Sequence, residues 1–149
     1  PLQNLSELIS VLADGIQLHV EGDAGILLAH PRFRESAGRV TPERDASAAL
    51  EKLEHLCRER IEKLARLDFL TFPLRGRGGL FEIRVRGVRF YGARLTRIQQ
   101  RDVFVLLEAE QKAGRSNADA AVLDWCEREL AALHGRLELV AQPAKGGRR

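Results

Sequence analysis

The sequence predicts an α+β fold in which a small, curved antiparallel sheet is packed by helices on one face. Three observations support this prediction. Apolar residues between Ser47 and Leu67 recur at helical spacing. Residues 81–86 instead alternate between apolar and polar side chains, as a strand does. Residues 103–109, VFVLLEA, form a continuous apolar run, which is typical of a central strand covered on both faces. A helix, sequential strands and a further helix make an α+β domain.

Two elements are predicted ahead of this domain. Residues 4–15 carry leucine and isoleucine at helical spacing, with Asn4 as the N-cap and Glu7 three residues later. Residues 16–28 alternate between apolar and polar side chains around a Gly-Asp turn. We therefore expect a short helix followed by a hairpin.

Residues 30–46 show no sustained period and contain two prolines, which predicts a connection without regular structure. A soft boundary follows near Thr41. The expected organisation is an N-terminal extension over 1–44, a main domain over 45–140 and a disordered basic tail over 141–149.

The strands and the last helix of the main domain follow Pro73 and the glycine-rich stretch RGRGG. Gly87 permits a tight reversal between the first and the second strand. Ser116 or Asn117 is expected to cap the last helix, in which Trp125 is available for burial. Three sequential strands of this kind pair in antiparallel fashion.

The two cysteines, Cys57 and Cys126, each lie within an apolar helical pattern. Their separation fits neither a metal-binding spacing nor a disulfide framework, so we expect buried thiols in a reducing compartment. No run approaches the roughly 18 apolar residues of a membrane span. The sequence therefore favours a cytoplasmic protein.

Positive charge is concentrated in one part of the chain. The whole sequence holds 24 basic and 21 acidic residues, for a net charge of +3. Residues 75–101 alone contain eight arginines, no lysine and a single acid, Glu82. The remaining chain holds 16 basic and 20 acidic residues. This contrast indicates a local arrangement rather than a general bias of composition.

Strand alternation places Arg84 and Arg86 on one face of the sheet, where Arg89 of the next strand can join them. Like charges so close need an anionic partner or intervening acids. Arginine favours phosphate, because its planar fork matches phosphate oxygens. The alternative is a solvated face whose arginines pair with acids from elsewhere, such as residues 51–62. Tyr91 lies beside these arginines, and three roles stay open for it: a core residue, a residue that stacks on a base, or a proton carrier.

Three segments of the main domain resemble a known protein family. They are PLRGRGGLFEIRVR (73–86), VRFYGARL (88–95) and VFVLLEAEQKAGRSNADAAVLDWCEREL (103–130). They resemble the RelE/ParE toxin superfamily, most closely its HigB-like, phage Gp49-like branch. The similar features are a glycine-preceded strand, an arginine-bearing second strand, and an apolar strand that leads through a lysine-containing loop into a C-terminal helix. The resemblance extends over the whole stretch from about residue 45 to residue 134, which is about three fifths of the chain.

The resemblance implies a toxin of a type II toxin–antitoxin module that cleaves mRNA at the ribosome without a cofactor or metal. In such a reaction the ribose 2′-hydroxyl attacks the adjacent phosphorus and a side chain removes its proton. Cationic groups stabilise the charge that develops on the phosphoryl oxygens. The implied partners are a cognate antitoxin protein, the ribosome and mRNA, with no membrane. The oligomeric state stays open, and a heterotetramer with the antitoxin is one arrangement.

The resemblance also implies site residues. Arg89 matches the second-strand arginine and is expected to stabilise the phosphate, and Lys112 matches the loop lysine. Tyr91 is a candidate base or stacking residue. Glu108, like Glu110, is either a general base or a surface carboxylate that counters the arginines. The expected RNA-binding residues are Arg75, Arg77, Arg84, Arg86, Arg94 and Arg115.

Two other functions stay open from the sequence. One is a ParE-like protein that inhibits a target such as gyrase without cleaving RNA. The other is a protein that binds nucleic acid through its phosphates, with an affinity that falls steeply with salt. The concentration of arginine favours RNA, whereas the lack of a clear general base favours binding alone.

Overall fold

The structure is a computed structural model that describes residues 2–64, 66–112 and 119–141, apart from the side chains of residues 61 and 62. The described α-helices are α1 (Leu5–Leu12), α2 (Pro31–Val40), α3 (Ala46–Arg58), α4 (Ile61–Leu64) and α5 (Ala120–Ala141), and a 3₁₀ turn over Glu43–Asp45 precedes α3. The described strands are β1 (Gln17–Glu21), β2 (Gly25–Ala29), β3 (Leu70–Thr71), β4 (Leu80–Val85), β5 (Val88–Ile98) and β6 (Arg101–Gln111). The predicted α+β class is confirmed. None of the described helices has the length and hydrophobicity to cross a membrane.

The described strands form one six-stranded sheet in the order β1-β2-β6-β5-β4-β3. The pairs β4–β5 and β5–β6 are antiparallel, as predicted. The predicted hairpin is also present as β1 and β2. Because β2 pairs with β6 in parallel, the sheet is mixed rather than purely antiparallel. The N-terminal hairpin therefore extends the same sheet as the three strands of the main domain.

Helices cover both faces of the sheet, so the prediction that they lie on one face was wrong. On one face, α1 and α5 pack against residues such as Val105, and we call this the α5 face. On the other, α2, α3 and α4 pack against residues such as Phe104, and we call this the α3 face. Apolar residues that follow each other along β6 alternate between the two cores, which explains its continuous apolar run.

The two helices expected from apolar spacing are present. The start of α1 is fixed by a capping box, in which the side chain of Asn4 accepts from the backbone of Glu7 and the side chain of Glu7 accepts in return. The helix expected over 47–67 is shorter, because α3 ends at Arg58 and a separate turn, α4, follows. The apolar face of α3 is buried on the α3 face of the sheet, as its spacing indicated.

The prediction of an irregular connection over 30–46 was wrong, because this segment contains α2. The side chain of His30 caps the helix by accepting from the backbone N–H two residues later, and Pro31 occupies its first turn. Proline suits that position, since the missing N–H would have no partner within the helix. The helix buries only Phe33 and Ser36, which leaves little apolar periodicity in the sequence.

Both cysteines are free and buried, as predicted. Cys57 belongs to the core on the α3 face and Cys126 to the core on the α5 face. Burial raises the pKa of each thiol to about 12. Both thiols therefore stay protonated near neutral pH and act as small apolar side chains.

Candidate functional site

A β-bulge in β6 decides where the acidic candidates point. Tyr91 of β5 pairs with Glu108 of β6, and the next residue of β5, Gly92, pairs with Leu106. Leu107 therefore has no partner on β5 and forms the bulge. One extra residue reverses the alternation of a strand. Ala109 consequently belongs to the core on the α3 face. Glu108 and Glu110 turn toward the α5 face, and both are buried instead of lying on the surface as surface carboxylates.

Tyr91 is fully buried and bonded to one of these carboxylates. Its hydroxyl donates to Oε2 of Glu110 over 2.6 Å. Burial, followed by this hydrogen bond and the charge of Glu110, raises the pKa of Tyr91 far above its ordinary value. The phenol therefore holds its proton and compensates a buried carboxylate. This geometry favours the core interpretation of Tyr91 over base stacking.

Glu108 is the carboxylate whose environment best suits a general base. Its side chain is 10% exposed, and Oε1 lies 2.6 Å from Nε of Arg32. The two atoms form a close ion pair without hydrogen-bond alignment, since Oε1 accepts no bond within the described chain. Burial raises the pKa of Glu108, although Arg32 opposes the shift. A carboxylate with a raised proton affinity can remove a proton and later release it.

Glu108 opens into a groove of about 560 Å³, which we call the Glu108 groove. Its other lining residues are Pro31, Arg32, Glu35 and Arg39, which come from one side of α2. The side chains of Arg39 and Glu35 are exposed and form an ion pair of 3.0 Å. The groove thus combines a carboxylate that can take up a proton with two guanidinium groups that can hold a phosphate.

The start of α2, which carries Arg32, is tied to α5. Nε2 of His30 lies 2.9 Å from Oε2 of Glu129, and the His30 ring packs edge-on against Trp125. The guanidinium of Arg32 lies over the same Trp125 ring, 3.9 Å from its centroid. His30 and Trp125 therefore position Arg32 beside the carboxylate. Arg32 and Arg39 were not predicted as site residues, because their segment was interpreted as a connection.

The predicted RNA-binding arginines do not form one free face. Arg86 has a φ of 55° at the turn after β4, so strand alternation ends before it and it does not project beside Arg84. The observed ion pairs are Arg77 with Asp124 and Glu127, Arg84 and Arg89 with Glu82, Arg86 with Asp45, and Arg94 with Asp102. Arg75 is exposed, and Arg115 lies outside the described residues. This pattern matches the alternative of arginines paired with acids, which come from segments other than residues 51–62.

Arg89 and Lys112 occupy supporting positions near the same strand ends. The side chain of Arg89 is 19% exposed, and its Nε lies 3.6 Å from Glu82. Its Nη1 donates to the carbonyl oxygen of Arg86 over 2.8 Å, which braces the turn between β4 and β5. Lys112 is buried directly after β6, and its backbone N–H donates to Gly87 over 2.7 Å. To bind a phosphate, Arg89 would have to give up its contact with Glu82 or with the carbonyl oxygen of Arg86.

No family model and no curated protein sequence matches this chain. The likeness to RelE/ParE toxins therefore stays a prediction from the segments quoted above.

The raised pKa of Glu108 predicts a pH dependence of stability. Because folding favours the protonated carboxyl, this group stabilises the fold below its ordinary pKa of 4.5, and the contribution is lost as the pH rises through the folded-state value. Glu108→Gln removes the titration. The difference in the free energy of unfolding, Glu108→Gln minus wild type, should therefore increase from about pH 4.5 towards neutrality. Urea denaturation of both proteins measures this difference. Glu35→Gln is the exposed control, and a difference for Glu108→Gln that does not change with pH would contradict the expectation.

Proposed function

We propose that this chain is a toxin-type endoribonuclease that cleaves mRNA on the ribosome and acts in the cytoplasm. The observation that carries the proposal is the Glu108 groove, where a carboxylate with a raised pKa lies 2.6 Å from an arginine and opens to solvent beside a second arginine. The RelE/ParE-like segments also support the proposal, because they include the strand that carries Glu108. In such a module the activity would be neutralised by a cognate antitoxin.

The proposed reaction uses the hydroxyl of the RNA itself as the nucleophile. Glu108 removes the proton of a ribose 2′-hydroxyl, and the oxygen attacks the adjacent phosphorus while the 5′-oxygen leaves and takes up a proton from water. The products are a 2′,3′-cyclic phosphate and a free 5′-hydroxyl. Arg32 and Arg39 stabilise the charge on the phosphoryl oxygens.

Glu108 must be ionised to act as the base, which its ion pair with Arg32 supports. An incoming phosphate competes for the guanidinium of Arg32, because a bidentate arginine–phosphate pair is a strong charge-assisted contact. As Arg32 shifts toward the phosphate, Glu108 loses its cation and its proton affinity rises further. Substrate binding would thus activate the base. Arg89 stays a candidate for a further phosphate contact, with Lys112 and Tyr91 supporting the strands behind it.

A second candidate function is binding without cleavage, either of nucleic acid or of a target such as gyrase. Tyr91, Lys112 and Glu108, three of the four predicted catalytic residues, are buried. Most of the predicted RNA-binding arginines are also held by acids. Both observations favour a protein in which those residues maintain the fold.

A short induction of the chain in bacteria tests the choice between these functions. Incorporation of labelled methionine and labelled thymidine is followed in the first minutes after induction, with Glu108→Gln as the matched variant. The proposal predicts an early loss of methionine incorporation that Glu108→Gln does not cause. An earlier loss of thymidine incorporation, or inhibition that persists in the variant, would support the second candidate instead.

A further inference from the structure

Four arginines converge on a groove near the start of β6, away from Glu108. This groove has a volume of about 490 Å³ and lies beside the turn that joins β5 to β6, so we call it the turn groove. Its charged lining residues are Arg58, Arg60, Arg97, Arg101, Asp23 and Asp102. Positive groups therefore outnumber negative ones by two to one.

The excess charge comes from three arginines that remain available to a ligand. Arg58 and Arg60 are exposed at the end of α3, and neither side chain has a hydrogen bond or ion pair within the part of the chain that the structure describes. Arg97 is 55% exposed and lies 4.0 Å from Asp102. That carboxylate has a closer partner in Arg94, at 2.9 Å. The helix dipole favours an arginine such as Arg58 at the C-terminus of α3. It does not explain why all three arginines lie beside the same groove.

The turn beside these arginines is strained. Gln99 and Gln100 have φ values of 52° and 68°, in the left-handed region. Two-residue hairpin turns of this kind favour asparagine and glycine, because other side chains are strained there. Strain of this kind persists where the surrounding structure fixes it, often at binding sites. Both glutamines line the groove, where the backbone would prefer smaller residues, and Nε2 of Gln99 donates to the backbone carbonyl of Gln3 over 3.1 Å.

We propose that the turn groove binds the phosphodiester backbone of a nucleic acid. Guanidinium groups match phosphate oxygens in charge and geometry. The described lining contains no aromatic side chain on which a base could stack, so the contact should be independent of sequence. From Asp102 to Glu108 is roughly 20 Å along β6. The turn groove is therefore a separate contact, and it does not depend on cleavage at Glu108.

Salt-dependent binding tests this site. The probes are a fluorescent 2′-O-methyl RNA, which lacks the attacking hydroxyl, and single-stranded DNA of the same sequence. Their affinities are measured by anisotropy across a salt series for the wild type, for Arg58→Ala/Arg60→Ala, and for Arg44→Ala/Arg128→Ala. The last pair removes the same charge from exposed positions outside the groove.

The groove variant should bind at least about 10-fold more weakly at low salt, and its slope of log affinity against log salt should be shallower by about 1.4, since each phosphate contact on a single strand contributes about 0.7. The control pair should change the slope much less. A loss with both probes assigns the groove to phosphodiester in general, and a loss with RNA alone assigns it to an RNA backbone. An unchanged slope, an equal loss in the control pair, or no binding by the wild type would overturn the proposal. None of these results depends on whether the chain cleaves RNA.

Discussion

Replacing Glu108 by glutamine is expected to lower the rate constant of mRNA cleavage about 10²- to 10⁴-fold, the range in which a positioned general base contributes. Glutamine keeps the size of the side chain but cannot accept the 2′-hydroxyl proton. Because folding disfavours the ionised form of Glu108, the neutral variant should fold at neutral pH. The measurement is single-turnover cleavage of a translated mRNA in a reconstituted translation system.

Glu35→Gln is the matched control for this prediction. Glu35 lines the same groove and also contacts an arginine, but its side chain is 77% exposed. Its loss removes the same charge without removing the base, so cleavage should stay within a few-fold of the wild type. Equal losses in the two variants would show that the charge of the groove matters and not the proton acceptor. Full activity of Glu108→Gln would remove Glu108 from the mechanism.

Gly92→Ala is expected to destabilise the fold by about 3 kcal/mol or more. A Cβ atom at this position would lie 2.3 Å from the carbonyl oxygen of Val105 and 2.8 Å from Cζ of Phe81. The contact to Val105 is with backbone of the neighbouring strand, so β5 and β6 would have to separate next to the bulge. Urea or guanidinium denaturation of the variant measures the loss.

Gly38→Ala is the same substitution, but it is expected to raise the stability of the fold instead of lowering it. Gly38 lies in α2, and a Cβ atom there would meet nothing within 4 Å. Alanine in a helix is more favourable than glycine, so this variant should gain about 0.5–1 kcal/mol. If both variants lost the same stability, the loss at Gly92 could not be assigned to the close approach of the strands.

The elements with strong apolar patterns could be predicted from the sequence. Period-two alternation located β4, and the apolar run located β6 as a strand covered on both faces. The capping residues of α1 located its start. The helix α2 could not be found in this way, because it buries only Phe33 and Ser36. The proline in its first turn was the available signal, and it was interpreted as a loop.

The candidate site was harder to predict, because two local irregularities decide it. The bulge at Leu107 turns Glu108 and Glu110 toward the α5 face, and the positive φ of Arg86 ends the alternation of β4. Both depend on how the strands pair, which one strand's sequence does not specify. Glu108 was identified as a candidate through the resemblance to RelE/ParE toxins. Its partner Arg32 comes from α2 and was therefore missed.

The chemistry of the RNA ends tests the central claim most directly. Wild-type chain is incubated with a translated mRNA, with and without ribosomes, and the ends of the fragments are identified by mass spectrometry. Cleavage by the 2′-hydroxyl under general-base catalysis predicts ribosome-dependent cuts that leave a 2′,3′-cyclic phosphate and a 5′-hydroxyl. Intact mRNA, or fragments that carry a 3′-hydroxyl and a 5′-phosphate, would contradict the claim.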